Sequence, residues 1–191
     1  TADSKAPNIR KTEPQRGFAS GIFYVEFTEI NPTNLTLYYA NATRNKTLDI
    51  ESDCEMERTK HICQTKVNLS EFDGQETDYW FELTDILGNL DFSRPRTLKV
   101  DTTKPIINEW NYTMDARRIQ FTFNITEINF DEINYIDYSD TRPRERRLCS
   151  RLKDDICEAK RSFRKGNHNL TINILDDAGN FEEVFAEFLI V

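Results

Sequence analysis

Four cysteines and a run of Asn-x-Ser/Thr triplets are the residues whose types and spacing promise chemistry. Cys54 and Cys63 are separated by eight residues, Cys149 and Cys157 by seven. Local pairing would close two short loops, each removing about 2.5–3 kcal/mol of unfolded-state entropy. Four cysteines allow three connectivities. Zinc is the other use of such residues, but these spacings lack its short knuckle; free buried thiols are the plainest alternative. The triplets place acceptor asparagines at Asn34, Asn41, Asn45, Asn68, Asn111, Asn124 and Asn169, while Pro32 disqualifies Asn31. Chance placement at this composition gives about two such triplets. Oxidised cysteines and N-linked glycans share one setting, the cell exterior. Catalytic signals are poor by comparison. His61 and His168 are isolated in polar sequence and read as solvated loop residues. No phosphate loop, nucleophile elbow or His-Glu-x-x-His occurs, and the adjacent pairs Asp154/Asp155 and Asp176/Asp177 lack the opposed geometry of glycoside hydrolysis. Asp85, Asp101, Asp176 and Asp177 could gather around a cation, yet turn capping is the commoner use of such residues. Neither metal nor cofactor is expected.

Elements that would carry these residues emerge from an internal repeat. Phe23-Tyr-Val-Glu-Phe-Thr-Glu-Ile-Asn31 aligns with Phe121-Thr-Phe-Asn-Ile-Thr-Glu-Ile-Asn129, and Asp3–Pro7 with Asp101–Pro105. Cys54 and Cys63 take Cys149 and Cys157 as counterparts, and Leu83–Asn89 takes Ile174–Asn180. Two units follow, residues 1–100 and 101–191. Within each, apolar residues alternate with polar ones, as in Phe23/Val25/Phe27, Tyr79/Phe81/Leu83 and Leu170/Ile172/Ile174. Period two marks a strand with one buried and one wet face. Asp-x-x-Gly-Asn supplies a turn between strands. Short alternating strands in units near 100 residues predict an all-β fold of two tandem antiparallel sandwiches. One stretch departs: Leu148, Leu152, Ile156, Ala159 and Phe163 recur at helical steps and predict a short helix or loop. A continuous helix would hold Cys149 and Cys157 about 12 Å apart, too far to bridge; the disulfide is the stronger expectation.

A Gly-Asn turn, a strand and then Val100-Asp-Thr-Thr-Lys-Pro-Ile106 resembles the tandem immunoglobulin-like repeats of bacterial and archaeal surface proteins. Gly179-Asn180 and Asp3–Pro7 fit the same frame. The resemblance implies Ig-like sandwiches in series, an extracellular structural or adhesive role and no catalytic residue. Paired cysteines and long charged excursions depart from that pattern, and dense glycosylation triplets beside a prokaryotic-type linker suggest an archaeal lineage.

Composition narrows the partners. The 191 residues carry 33 acidic and 25 basic side chains, a net charge of -8. That balance disfavours non-specific nucleic-acid binding. An aromatic content of 12% disfavours disorder, and no apolar run reaches the ~18–20 residues of a membrane-spanning helix. Thr1 in place of an initiator Met indicates a processed or excised chain. The charge is also segregated. Asp49, Glu51, Asp53, Glu55 and Glu57 form an acidic run in the first unit, while Arg142, Arg144, Arg146, Arg147 and Arg151 form a basic one in the second. Placed at equivalent points, such runs could guide head-to-tail contact; solvated loops are the ordinary alternative. Tyr24, Tyr38, Trp80 and Trp110 fall off the core phase and could stack on sugars or cover a neighbouring unit or chain, packing at the junction of the two units being the more ordinary expectation. The expectation is a non-catalytic, glycosylated cell-surface or filament component (pilus-like or S-layer-like) that self-associates or adheres, with residues 1–16 or an edge strand adding to a neighbour's sheet. A glycan- or protein-binding module using Trp80, Trp110 and the basic loop is the competing expectation, and an accessory domain of a secreted hydrolase a third.

Overall fold

A computed structural model describes residues 5–191, so the Asp3–Ser4 part of the leading repeat and the start of the 1–16 segment lie outside the described residues. The chain divides into two compact units, Thr1–Thr102 and Thr103–Val191.

The first unit contains β1 (Asn8–Glu13), β2 (Phe18–Ala19), β3 (Ile22–Thr28), β4 (Pro32–Tyr39), β5 (Arg44–Leu48), β6 (Cys54–Glu57), β7 (Lys60–Lys66), β8 (Glu76–Asp85), β9 (Leu90–Phe92) and β10 (Arg96–Val100). One sheet runs β1-β3-β7-β6; the other runs β2-β10-β8-β4-β5, with β9 also on β8. All pairings are antiparallel except the short β10–β2 bridge. Alternation dictates which side chains meet: Phe23, Val25 and Phe27 from one sheet bury against Leu35, Leu37, Phe81 and Leu83 from the other. Tyr79 is fully buried yet keeps a polar partner, its hydroxyl donating to the Pro14 carbonyl at 2.6 Å. Burial pushes that hydroxyl up to about 12. Gly21 is required sterically: its φ is +100°, and a Cβ there would lie 2.3 Å from the Val67 carbonyl oxygen.

The second unit contains β11 (Ile106–Asp115), β12 (Arg118–Thr126), β13 (Phe130–Asp137), β14 (Glu145–Cys149), β15 (Ile156–Ser162), β16 (Gly166–Asp176) and β17 (Phe181–Ile190). Its sheets run β11-β12-β15 and β14-β13-β16-β17. Ile119, Phe121, Phe123 and Ile125 of β12 face Leu170, Ile172 and Ile174 of β16 across the core. Each half of the linker phrase is anchored in its own unit. Thr102 donates through its backbone N–H and its hydroxyl to Asp73 Oδ1, at 2.7 and 2.8 Å. Lys104 pairs with Glu182 at 3.1 Å and lies over the Phe181 ring.

Two readings of the sequence need correction. Residues 148–163 form no helix: β14 ends at Cys149, Asp154 and Asp155 turn the chain at positive φ, and β15 pairs with β12 over Arg118–Asn124. The ladder offered by β12 satisfies every second backbone group of this stretch, and Cys157 and Ala159 bury with period two. The apparent helical spacing is a coincidence of apolar residues drawn from two strands and a loop. Within the N-terminal segment, in turn, residues 8–13 are not a free donor strand, because they already pair with β3 of their own unit.

The cysteines form Cys54–Cys63 and Cys149–Cys157 bonds, and none is left free. The two bonds are not structural counterparts. Cys63 and Cys157 occupy matching places on β7 and β15, opposite Val25 and Phe123. Cys54, however, lies on the hairpin strand beside β7, so its bond stays within one sheet. Cys149 lies on β14 of the opposite sheet, so its bond joins the two layers. Replacing Cys149 and Cys157 together by serine is expected to remove about 2.5 kcal/mol of stability from the second unit, read by chemical denaturation. Proteolysis of the double variant should open first at the β14–β15 edge; cleavage unchanged from the parent protein would contradict the clamp.

Candidate functional site

The repeated motifs converge on one pole of each unit. In the first, Thr28-Glu-Ile-Asn31 forms the β3–β4 turn, where the Glu29 carboxylate accepts from the Ile30 and Asn31 N–H groups at 2.8 and 2.9 Å. Asp85-Ile-Leu-Gly-Asn89 follows β8. Asp85 Oδ1 accepts from the Leu87 and Asn89 N–H groups, both at 2.8 Å, and Oδ2 from the Asn89 side chain at 2.7 Å. The two turns then join, Ile86 N–H donating to the Asn31 carbonyl at 3.0 Å. The second unit repeats this almost atom for atom. Glu127 accepts from Asn129 N–H at 2.8 Å, Asp176 takes Ala178, Asn180 and the Asn180 side chain, and Asp177 N–H donates to the Asn129 carbonyl at 2.7 Å.

Asp85 and Asp176 are each 2% exposed. Burial pushes the Asp85 carboxyl up, but hydrogen bonds from the Asn89 side chain and from the backbone at Asn89, Leu87 and Gly88 outweigh it and hold the group below its ordinary value. These carboxylates are turn caps, each accepting from the turn that follows its own strand. Asp101 follows β10 with its N–H on the Ala19 carbonyl, and the Asp177 side chain is exposed.

Neither histidine is a solvated loop residue. His61 lies on β7 opposite Phe27, stacked on that ring at 4.7 Å with Nε2 at the Glu29 carbonyl. His168, on β16, packs between Phe163 and Phe188. Its Nδ1 lies 2.6 Å from Asp137 Oδ2 and its Nε2 2.9 Å from the Arg164 carbonyl. Both ring nitrogens thus face oxygen atoms. Counting His as polar concealed the period-two pattern to which both belong.

His168 and Asp137 form the floor of a concavity of about 520 Å³ rimmed by Arg142, Arg144, Arg146 and Arg164. Arg146 is committed to Asp140 at 2.5 Å and lies over the Tyr135 ring; Arg147, outside the rim, pairs with Glu132. The exposed Arg142, Arg144 and Arg164 complete a basic mouth that oxyanions would favour. Arg151 lies apart, in the loop closed by Cys149–Cys157. The acidic run does not occupy an equivalent place. Asp49 and Asp53 hydrogen-bond one another's turn after β5, and Glu55 and Glu57 project from β6. The basic run instead begins before β14, the counterpart of β5, so the charges are segregated but not superposable.

The aromatic residues divide. Tyr38 and Trp80 lie on the outer face and stack at 5.4 Å, and Tyr24 carries Lys11 over its ring. Trp110 does not join them: a register shift between Ile107 and Glu109 turns it inward, where it stacks on Phe123 at 5.8 Å. Among the acceptor asparagines, Asn41, Asn45, Asn68, Asn111 and Asn169 are exposed, while Asn34 and Asn124 are half-buried in central strands.

No family model matches the chain, and no curated protein matches it. Solved structures do. The chicken CNTN1 FN1-FN3 domains align with a TM-score of 0.53 at 10% identity, over 96% of this chain and 68% of that one. Fibronectin(III)-like modules of Clostridium thermocellum CbhA align at 0.44 and 10% identity, over 96% and 93%. The Ig1-2 module of the Drosophila receptor protein tyrosine phosphatase DLAR aligns at 0.35 and 16%, over 98% and 100%. With the sheets described above, the likeness to the chicken domains shows the fold: tandem antiparallel β-sandwiches of the fibronectin III/Ig-like kind.

Asp85 generates a pH dependence. Its folded carboxyl titrates lower than the unfolded one, so its contribution is complete above the ordinary carboxylate range and is lost as pH falls through the folded value. Melting temperatures of the parent protein should fall with acidification in that window. Asp85→Asn, which cannot accept at both positions, should melt lower at neutral pH and show a shallower acid dependence. Equal slopes for the two proteins would contradict the assignment.

Proposed function

We propose that this chain is a non-catalytic extracellular module pair, a glycosylated component of a cell-surface or filament assembly whose task is structural or adhesive. The observation carrying this reading is the exposed outer face of an edge strand. Along β17, Phe181, Phe185 and Leu189 (50%, 61% and 54% exposed) are interleaved with the exposed Glu183 and Glu187 on the face away from the core. Large apolar side chains in an acidic frame on an edge strand suit a partner chain better than water. The two disulfides favour an oxidising exterior, and the exposed acceptor asparagines favour glycosylation there. The buried carboxylates are occupied in turns, which leaves the opposed surface charges as guides for contact between copies. Sequence resemblance and the shared fold with the fibronectin III domains of chicken CNTN1 point in the same direction.

Binding of a glycan or protein by a single module is the second reading, favoured by the basic mouth around Arg142 and Arg144. Trp110 no longer contributes to it.

Sedimentation of the whole chain over a wide concentration range separates the two. Assembly predicts a rising average mass that Phe185→Lys abolishes. It also predicts that Arg142→Glu with Arg144→Glu weakens association most at low salt, where charges are least screened. A parent protein that stays at monomer mass throughout, or charge reversal without effect on assembly or its salt dependence, would count against the assembly.

A further inference from the structure

Across the outer face of the first unit, three residues form one row. Tyr38 of β4 lies directly opposite Trp80 of β8 on one side and Asn45 of β5 on the other. Directly opposed residues of an antiparallel ladder project from the same face, with Cβ atoms about 5 Å apart. The neighbours of Asn45 establish which face that is. Arg44 reaches Glu71 and lies over Phe72, and Lys46 donates to the Lys66 carbonyl, both on the core side of the strand. Asn45 and Thr47 therefore point outward, and both are exposed. Tyr38 and Trp80 stack at 5.4 Å with their planes 15° apart, forming a flat, half-exposed aromatic surface.

We propose that this surface is the seat of an N-linked glycan carried by Asn45, whose first sugars lie across Tyr38 and then Trp80. The inference rests on the reading of the chain as glycosylated and adds where one glycan goes. Strands are spaced about 4.8 Å apart, so a chain leaving β5 perpendicular to the strands meets the two rings in succession. The face of a pyranose carries C–H groups that suit an aromatic plane, and covering the rings removes apolar area from water. Thr47 completes the Asn45-Lys-Thr acceptor triplet one row away, opposite Thr36. The second unit has no such surface: its matching row is Thr171, Ile136 and Glu145. Asn111, the control, is exposed on β11 opposite Thr122, with Glu158 beyond. No ring lies in that row.

The test uses the whole chain secreted from eukaryotic cells that attach N-glycans. Glycopeptide mass spectrometry reads occupancy at each asparagine, and an endoglycosidase acting on the native protein reads how freely each glycan leaves. The glycan at Asn45 should be trimmed about three- to tenfold more slowly than that at Asn111, the range expected from aromatic contact energies. Trp80→Thr or Tyr38→Thr should erase the difference. A second measurement leaves both rings intact: in a Trp110→Phe background, the fluorescence of Trp80 should be quenched more readily by acrylamide after Asn45→Gln. An occupied Asn45 trimmed as fast as Asn111, or quenching unchanged by Asn45→Gln, overturns the proposal. An empty Asn45 beside occupied sites overturns it alone, whereas a chain bearing no glycan at any site overturns the glycosylated reading as well.

Discussion

The structure depends on how each sandwich closes at the pole where the β3–β4 and β8–β9 turns, or the β12–β13 and β16–β17 turns, come together. Strands that bury alternate residues must end in turns whose backbone N–H groups have no ladder partner. A buried carboxylate solves this in both units. Asp85 and Asp176 each gather two N–H groups and an asparagine side chain, and the following N–H groups reach the opposing turn at Asn31 and Asn129. One residue thereby orders one turn and docks it to the next. The strand pairs that feed those turns, β4–β8 and β13–β16, are the central pairs of their sheets. Register at the pole is thus register through the core.

On this shared frame the two units diverge at the opposite edge. A disulfide within one sheet fixes a hairpin that its neighbouring hydrogen bonds already define, whereas a disulfide between sheets opposes separation of the layers. The second unit also sinks an Asp137–His168 pair between aromatic rings and surrounds it with arginines. The first unit keeps its outer face aromatic at Tyr38 and Trp80. The same fold therefore presents two chemically different exteriors, as expected of modules whose function lies in their surfaces.

Strand faces were legible wherever apolar residues alternated without interruption, as at Phe23–Phe27 and Leu170–Ile174, because period two is a local property of the backbone. The turn role of Asp-x-x-Gly-Asn was legible for the same reason. The β14–β15 region was not. Its apolar residues carry a spacing compatible with a helix, and the decision fell to a ladder with β12, more than thirty residues earlier. Trp110 was misplaced by one inserted residue in the ladder, since such a shift exchanges the two faces. His61 and His168 were misplaced because a ring that is polar in sequence is readily buried once its nitrogens find acceptors.

The amino-acid sequence by itself determined the repeat, the all-β class, the apolar core faces of the uninterrupted strands and the short reach between paired cysteines, since all of these rest on spacing along one strand or turn. Only the tertiary structure decided that Cys149 bridges two layers while Cys54 stays within one, that Trp110 turns inward, and that Asn45, Tyr38 and Trp80 share a row. Those are relations between strands, and strand partners are chosen by burial and register across the whole sheet.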